Sequence, residues 1–295
     1  MTIDISAVAD FMAGHARILD RRRFQLLMGE TDTASLLAAV DGYRNPDGGY
    51  GWGLEPDLRS PESQPGAALH AFEVFEEIAP ATAPQAVALC DWLQSVSRPD
   101  GGVPFALPLT TTAASAPWWT GADQTTSSLQ ITNVSAAAAH RVAVHDPAVA
   151  AHPWLARATR YCLDQIAALD EAPHAYILSF SISLLDAVHD TYPEAPELLA
   201  RLGGYIPADG KLHVEGGTDD EFLHPLDFSP YPDGPSRALF TPEQISADLD
   251  RLAGLQQDDG GWTVEYAKIS PAGALEWRGA TTVRAIEILR RNGRI

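Results

Sequence analysis

An acid followed by two glycines recurs down this chain, and that recurrence limits the available folds more than any other feature. The copies are "YRNPDGGYGW" (Tyr43 to Trp52), "WLQSVSRPDGGVPF" (Trp92 to Phe105), the worn "YIPADGKL" (Tyr205 to Leu212) and "LQQDDGGW" (Leu255 to Trp262). Their acids, Asp47, Asp100, Asp209 and Asp259, are separated by 53, 109 and 50 residues. The long middle interval holds two periods and implies an unmarked unit near "CLDQIAALDEAPHAY". Each copy ends an apolar segment of three- and four-residue spacing and precedes another, so the unit reads as helix, turn, helix. A glycine pair lets the backbone take positive φ and leave the first helix sharply. The acid accepts hydrogen bonds from the amides freed at the turn, the tryptophan covers the joint, and the glutamine ties one helix end to the next unit. A motif that recurs from unit to unit fixes architecture, whereas a catalytic residue usually occurs once.

The second helices of the units are rich in Ala, Ser and Thr, as suits helices crowded on an inner ring. Sustained alternation is almost absent, so strands are expected to be scarce. The reading is one all-α domain over 1–295, an (α/α) toroid of five to six helical hairpins. An N-terminal helical extension (about 4–30) and a non-helical insertion (about 212–240) complete it.

"LQQDDGGW", with the "NPDGGYGW" and "RPDGGV" copies, resembles the glutamine-tryptophan repeat of the terpenoid cyclase and protein prenyltransferase superfamily. The resemblance spans Ala34 to Arg291. It implies an α/α toroid whose inner helices enclose the substrate, and it speaks more to fold than to activity, because other α/α toroids handle sugars or act as binding modules.

Charge and composition exclude several classes. A formal net charge of −19 opposes nucleic acid, whose phosphates require clustered Lys and Arg, and acidic membranes. No apolar run approaches the roughly 18 residues of a membrane span, and the N-terminus lacks the pattern of a signal peptide, so a cytoplasmic location is expected. Cys90 and Cys162 sit in helical patterns as buried free thiols. Neither lies in a motif like the zinc site of protein prenyltransferases. No diphosphate-and-magnesium motif, phosphate-cradling glycine loop or nucleophile elbow occurs, which disfavours reactions that begin by ionising a diphosphate. No cofactor is expected, and pattern alone does not reveal oligomeric state.

Two segments stand out as sources of chemistry. "GLEPDLRSPESQP" (Gly53 to Pro65) places Glu55, Asp57, Arg59 and Glu62 in a proline-stiffened loop before a second helix. Such a loop suits a general acid with a partner carboxylate, and equally a local Asp57–Arg59 pair with a capping Glu62. "LHVEGGTDDEFLHPLDFSPYPDGPSRALF" (Leu212 to Phe240) replaces an expected inner helix. Its "GTDD" resembles the acid motif of class II terpenoid cyclases, in which an aspartate pair protonates an alkene or epoxide. The resemblance implies Asp219 and Asp220 as acids, with Gly217 standing where the family has its leading aspartate. His213, Glu215, His224 and Asp227 are also candidate metal ligands, but they match no fixed spacing, and no metal is expected.

Trp118 and Trp119 precede one inner helix, and Trp277 and Arg278 lie near the start of another. With Phe228 and Tyr231 they supply aromatic faces that stabilise a carbocation, stack on a sugar, or merely pack helix joints. Gln130 and Asn133 share a helical face and point at the cavity or form a buried amide pair. His70 and His140 read as core or surface histidines.

The expected activity is proton-initiated cyclisation or isomerisation of an uncharged or weakly charged isoprenoid-like small molecule. The acid is drawn from Asp219, Asp220, Asp57 and Glu62. Glu55, Arg59, Trp118, Trp119, Gln130, Asn133, His224, Phe228, Tyr231, Trp277 and Arg278 form the substrate-contacting set. A carbohydrate hydrolase or lyase, and a non-enzymatic binding module for a small molecule or peptide, are the alternatives.

Overall fold

The computed structural model describes residues 3–295. Among them the chain is all-α. Its helices are α1 (Ile5–Gly14), α2 (Ile18–Met28), α3 (Thr33–Asp41), α4 (Pro65–Glu77), α5 (Pro84–Val96), α6 (Pro117–Thr120) and α7 (Leu129–Ala143). There follow α8 (Pro147–Ala150), α9 (Pro153–Ala167), α10 (Ala175–Val188), α11 (Ala195–Gly203), α12 (Pro225–Phe228), α13 (Pro242–Gly254) and α14 (Pro271–Arg291). The two-residue strands β1 (Leu212–His213) and β2 (Phe222–Leu223) pair antiparallel. No helix among the described residues is long and apolar enough to cross a membrane.

Local signals explain where the long helices begin. Pro65, Pro84, Pro153, Pro242 and Pro271 each stand in a first turn, where the missing N–H has no partner to lose. Thr241 and Gln244 form a capping box on α13, and the Ser270 hydroxyl caps α14 by accepting from the Gly273 amide.

The turns repeat one construction. Asp47, Asp100 and Asp259 each accept the amide two residues on, from Gly49, Gly102 and Gly261, at 3.0, 3.1 and 3.2 Å. The worn copy keeps it, Lys211 donating to Asp209 at 3.1 Å. The first glycine of each full copy has φ of 92°, 99° and 92°, and a Cβ there would lie 3.0 Å from the Ala88 carbonyl oxygen, 2.8 Å from that of Arg157 and 2.1 Å from that of Ala7. Glycine is therefore required both for its positive φ and for close approach to α5, α9 and α1 in turn. Gln256 does what its position suggests, exchanging two hydrogen bonds of 3.0 Å with the backbone of Asp4.

These contacts change the reading of the N-terminus. The segment expected as an extension is a regular hairpin, α1 with α2, and the last glycine turn packs on it. Helix contacts run from α2 to α4, α7, α10 and α12, then through α13 to α14, which touches α2 again. Ala136 to Ala139 of α7 are fully buried, which lets α4 and α10 close in on both sides. Residues 212–240 are largely non-helical, holding only the strand pair, α12 and a 3-10 turn at Pro235–Leu239. Asp186 of α10 and Asp248 of α13 pin this segment by accepting the amides of Ser236 and Leu226 at 2.5 and 2.8 Å.

Candidate functional site

The loop from Gly53 to Pro65 is held rigidly and turned inward. Arg17, paired with Asp20 at 2.6 Å, donates to the carbonyls of Gly53 and Leu54, and the Asp57 carbonyl accepts the Ala116 amide at 2.8 Å. Glu55 turns back on the loop and accepts the Asp57 amide at 3.0 Å. Asp57, only 3% exposed, receives the indole N–H of Trp277 on Oδ2 at 2.7 Å. Burial pushes the Asp57 carboxyl up to about 6, outweighing the indole hydrogen bond, which favours the anion. A carboxylic acid poised near neutrality, on a fixed backbone, is suited to proton donation.

Behind it lies a charge chain legible only in part from sequence. His70 Nε2 lies 2.8 Å from Glu55 Oε2, and its Nδ1 lies 3.0 Å from Glu73 Oε2. Burial would lower the imidazole, but Glu73 and Glu55 outweigh it and raise His70 to about 9. It is therefore an imidazolium at neutral pH, donating from both nitrogens. Glu73 responds oppositely: burial would raise it, yet His70 and Arg23 hold it down at about 2. Arg23 continues the chain as a fork onto Glu77, with contacts of 2.6 and 2.9 Å.

Aromatic rings surround the acid. Trp277 meets His70 and Tyr266 edge to face, with centroids 5.7 and 5.6 Å apart. Burial raises the Tyr266 hydroxyl, and the negative charges of Glu55, Asp57 and Glu221 and the Tyr176 phenol raise it further. Tyr176 donates to Glu221 at 2.7 Å and stacks on Phe180 at 5.8 Å. Glu73, Tyr176, Phe180, Trp277, Ala280 and Thr281 each stay partly exposed, so solvent reaches these side chains.

The remaining sequence candidates fall elsewhere. Asp219 and Asp220 stand exposed at the hairpin tip, and the buried acid of that hairpin is Glu221, 7% exposed. Side chains in open solvent at a hairpin tip are not enclosed with a substrate, so the geometry does not support the expected "GTDD" acids. Glu62 accepts hydrogen bonds from Ser60 and Thr110 that hold it below the usual carboxylate range despite some desolvation. It lines a surface depression of 430 Å³ beside Trp52 that includes neither Asp57 nor Trp277. Arg59 pairs with Glu276 at 2.6 Å, tying the loop to α14.

Several aromatic and polar candidates are structural. Trp118 is exposed, and Trp119 is buried against Phe105 at 4.7 Å. Phe228, 1% exposed, packs on Phe240 in the core. Arg278 clamps the last glycine turn through Asp259 at 2.6 Å and stacks over Phe11. His224 caps α12, its amide donating to Asp227 at 2.8 Å. Asn133 is fully buried and donates to Ser181 at 2.7 Å between α7 and α10, whereas Gln130 is partly exposed. Tyr231 lies under Arg291 with its hydroxyl 3.5 Å from Glu287. Among the described residues no three His, Cys, Asp or Glu side chains are arranged to hold a metal ion, and His213, Glu215, His224 and Asp227 do not converge.

Sequence reasoning read His70 as a core or surface histidine, and it is buried with both ring nitrogens partnered; the reading missed its link to Glu55 and Glu73, Tyr176 with Glu221, and Tyr266. The available signal was "ALHAFEVFEE", whose histidine and three acids are too many charges for a helix expected to be enclosed.

No protein-family model matches the chain, and no curated protein does either. A solved structure described as a protein from Actinoplanes is similar to it in fold, with a TM-score of 0.58 over 97% of this chain and 99% of that one. At 17% identity that likeness speaks to the fold alone.

Proposed function

We propose that the chain is an α/α toroid and works as a terpenoid-cyclase-like enzyme, with Asp57 as the acid that starts cyclisation or isomerisation of an isoprenoid-like substrate. The observation that supports this reading is the buried Asp57 carboxyl, raised to about 6 and pinned by the Trp277 indole among aromatic rings. The π electrons of a substrate double bond, or an epoxide oxygen, take the Asp57 proton. The carboxylate left behind gains the full strength of the indole hydrogen bond, and the cation formed faces Trp277 and Tyr266. Ring closure followed by proton loss, to Asp57 or to water, balances the reaction as an isomerisation. The Glu55–His70–Glu73 chain acts at one remove, holding the Asp57 amide and the Trp277 ring.

The test is turnover of acyclic polyprenols and their terminal epoxides, with products separated by gas chromatography and identified by mass. Asp57→Asn should lower the rate by at least about 100-fold, the lower range for loss of a positioned acid. Turnover that persists unchanged in that variant refutes Asp57 as the acid.

One observation favours a second reading. α4, whose His70 meets Trp277, also carries Glu77 paired with Arg23 and Glu76 paired with Arg141, and so much charge suits a hydroxylated substrate better than a hydrocarbon. In a carbohydrate hydrolase or lyase Asp57 remains the acid and Glu55 or Glu221 is its partner. Release of reducing sugar from oligosaccharides, with no conversion of polyprenols, would select it.

A further inference from the structure

One face of α14 carries Trp277, Ala280, Thr281, Arg284, Glu287 and Arg291 at helical spacing, and none of the six is fully buried. Arg284 is exposed in the middle of this helix, although Thr282, Val283, Ala285 and Ile286 around it are buried. It shares a helix face with Trp277 and Glu287, and its charge favours the anions of Glu73 on α4 and Asp227 on α12.

Among the described residues Arg284 makes no hydrogen bond or ion pair, whereas Arg23, Arg59, Arg141, Arg278 and Arg291 each hold a carboxylate. The acids beside it are committed elsewhere. Glu73 is bound to His70, Asp227 to the His224 amide, and Glu287 to Arg291 at 3.1 Å. A planar fork of five donors is thus left facing solvent-reached space. With a net charge of −19 the protein repels anions at long range, so only a local cation of this kind would retain one.

We infer that Arg284 anchors an anionic group of the substrate, a carboxylate or a phosphate monoester. Seven residues of helix separate it from Trp277, a rise of about 10 Å, and the small side chains of Ala280 and Thr281 leave room between. The substrate is an elongated molecule with an anionic head at Arg284 and its reactive group roughly 10 Å away at Asp57. The placement of the reactive end rests on the proposed role of Asp57. The anion site itself does not.

The experiment titrates wild type, Arg284→Gln and Arg284→Lys at constant ionic strength, following tryptophan fluorescence. The ligands are inorganic phosphate, acetate, farnesyl phosphate, farnesoic acid and farnesol. Wild type should bind the two charged farnesyl compounds at least about tenfold more tightly than farnesol, the scale of one charge-assisted contact. Arg284→Gln should abolish that preference and leave farnesol unchanged, and Arg284→Lys should keep part of it. Equal affinity of wild type and Arg284→Gln for the charged ligands overturns the inference, even if polyprenols are turned over. Phosphate or acetate binding that depends on Arg284, with no farnesyl compound bound, upholds the anchor and rejects the isoprenoid reading. No binding of any ligand rejects both.

Discussion

Trp277→Phe tests the electrostatics of the acid directly. The change keeps an aromatic ring against His70 and Tyr266 and removes one atom group, the indole N–H that lies 2.7 Å from Asp57 Oδ2. That hydrogen bond forms to the anion, and such bonds are worth about 1.5–3 kcal/mol. At about 1.36 kcal/mol per pKa unit, its loss raises the Asp57 pKa by roughly 1–2 units. Asp57 should therefore move from about 6 to roughly 7–8 and be largely protonated at neutral pH. The assay is a ¹³C NMR titration of protein labelled at aspartate Cγ, with the Asp57 signal assigned by its absence from Asp57→Asn. In enzyme turnover the same shift should displace the basic limb of the pH–rate profile upward. An Asp57 pKa that stays at about 6 or falls in Trp277→Phe would refute the claim that the indole stabilises the carboxylate and that burial sets the balance.

The raised pKa values and the glycine turns set the remaining outcomes. Because the folded-state pKa of Asp57 is raised, its contribution to stability is full below about 4 and lost as pH rises through about 6. Asp57→Asn should therefore be neutral in urea unfolding at pH 4 and more stable than wild type by up to about 3 kcal/mol at pH 8. His70 is raised to about 9, so the stability it supplies is present below about 6.5 and lost as pH climbs through 9. In His70→Gln that alkaline loss should vanish, and the difference between the two unfolding curves across pH 6 to 10 checks it. Gly260→Ala would drive a Cβ to 2.1 Å from the Ala7 carbonyl at positive φ, and should cost more than about 2 kcal/mol in thermal unfolding. Gly29→Ala, also at positive φ but with open space around it, should cost about 1 kcal/mol.

The repeat made the scaffold legible. Asp47, Asp100, Asp209 and Asp259 could be picked out because the turn needs the same chemistry each time: a carboxylate accepting the amide two residues on, and a glycine where the chain passes close to the next helix. Helical spacing predicted the helix pairs of the repeat units, including the unmarked pair α9 and α10, and a helical N-terminus without its division into α1 and α2. The role of the first thirty residues was hidden, because nothing local in "VADFMAGHARILD" says that Gly260 will rest on Ala7.

The site divides the same way. The sequence by itself singled out Glu55, Asp57 and Trp277, since a proline-stiff acidic loop and a tryptophan at a helix start are local facts. It equally singled out Asp219, Asp220 and Glu62, which look the same in one dimension. Only the tertiary structure separated them, by burying Asp57 against Trp277 while leaving the hairpin tip in solvent and tying Glu62 to two hydroxyls. The physical reason is that a carboxyl's proton affinity depends on what surrounds it, and those surroundings come from residues up to 220 positions away. His70, Glu73 and Arg284 became visible for the same reason. Their roles are set by which partners are near and which are already taken, and a linear chain does not record that.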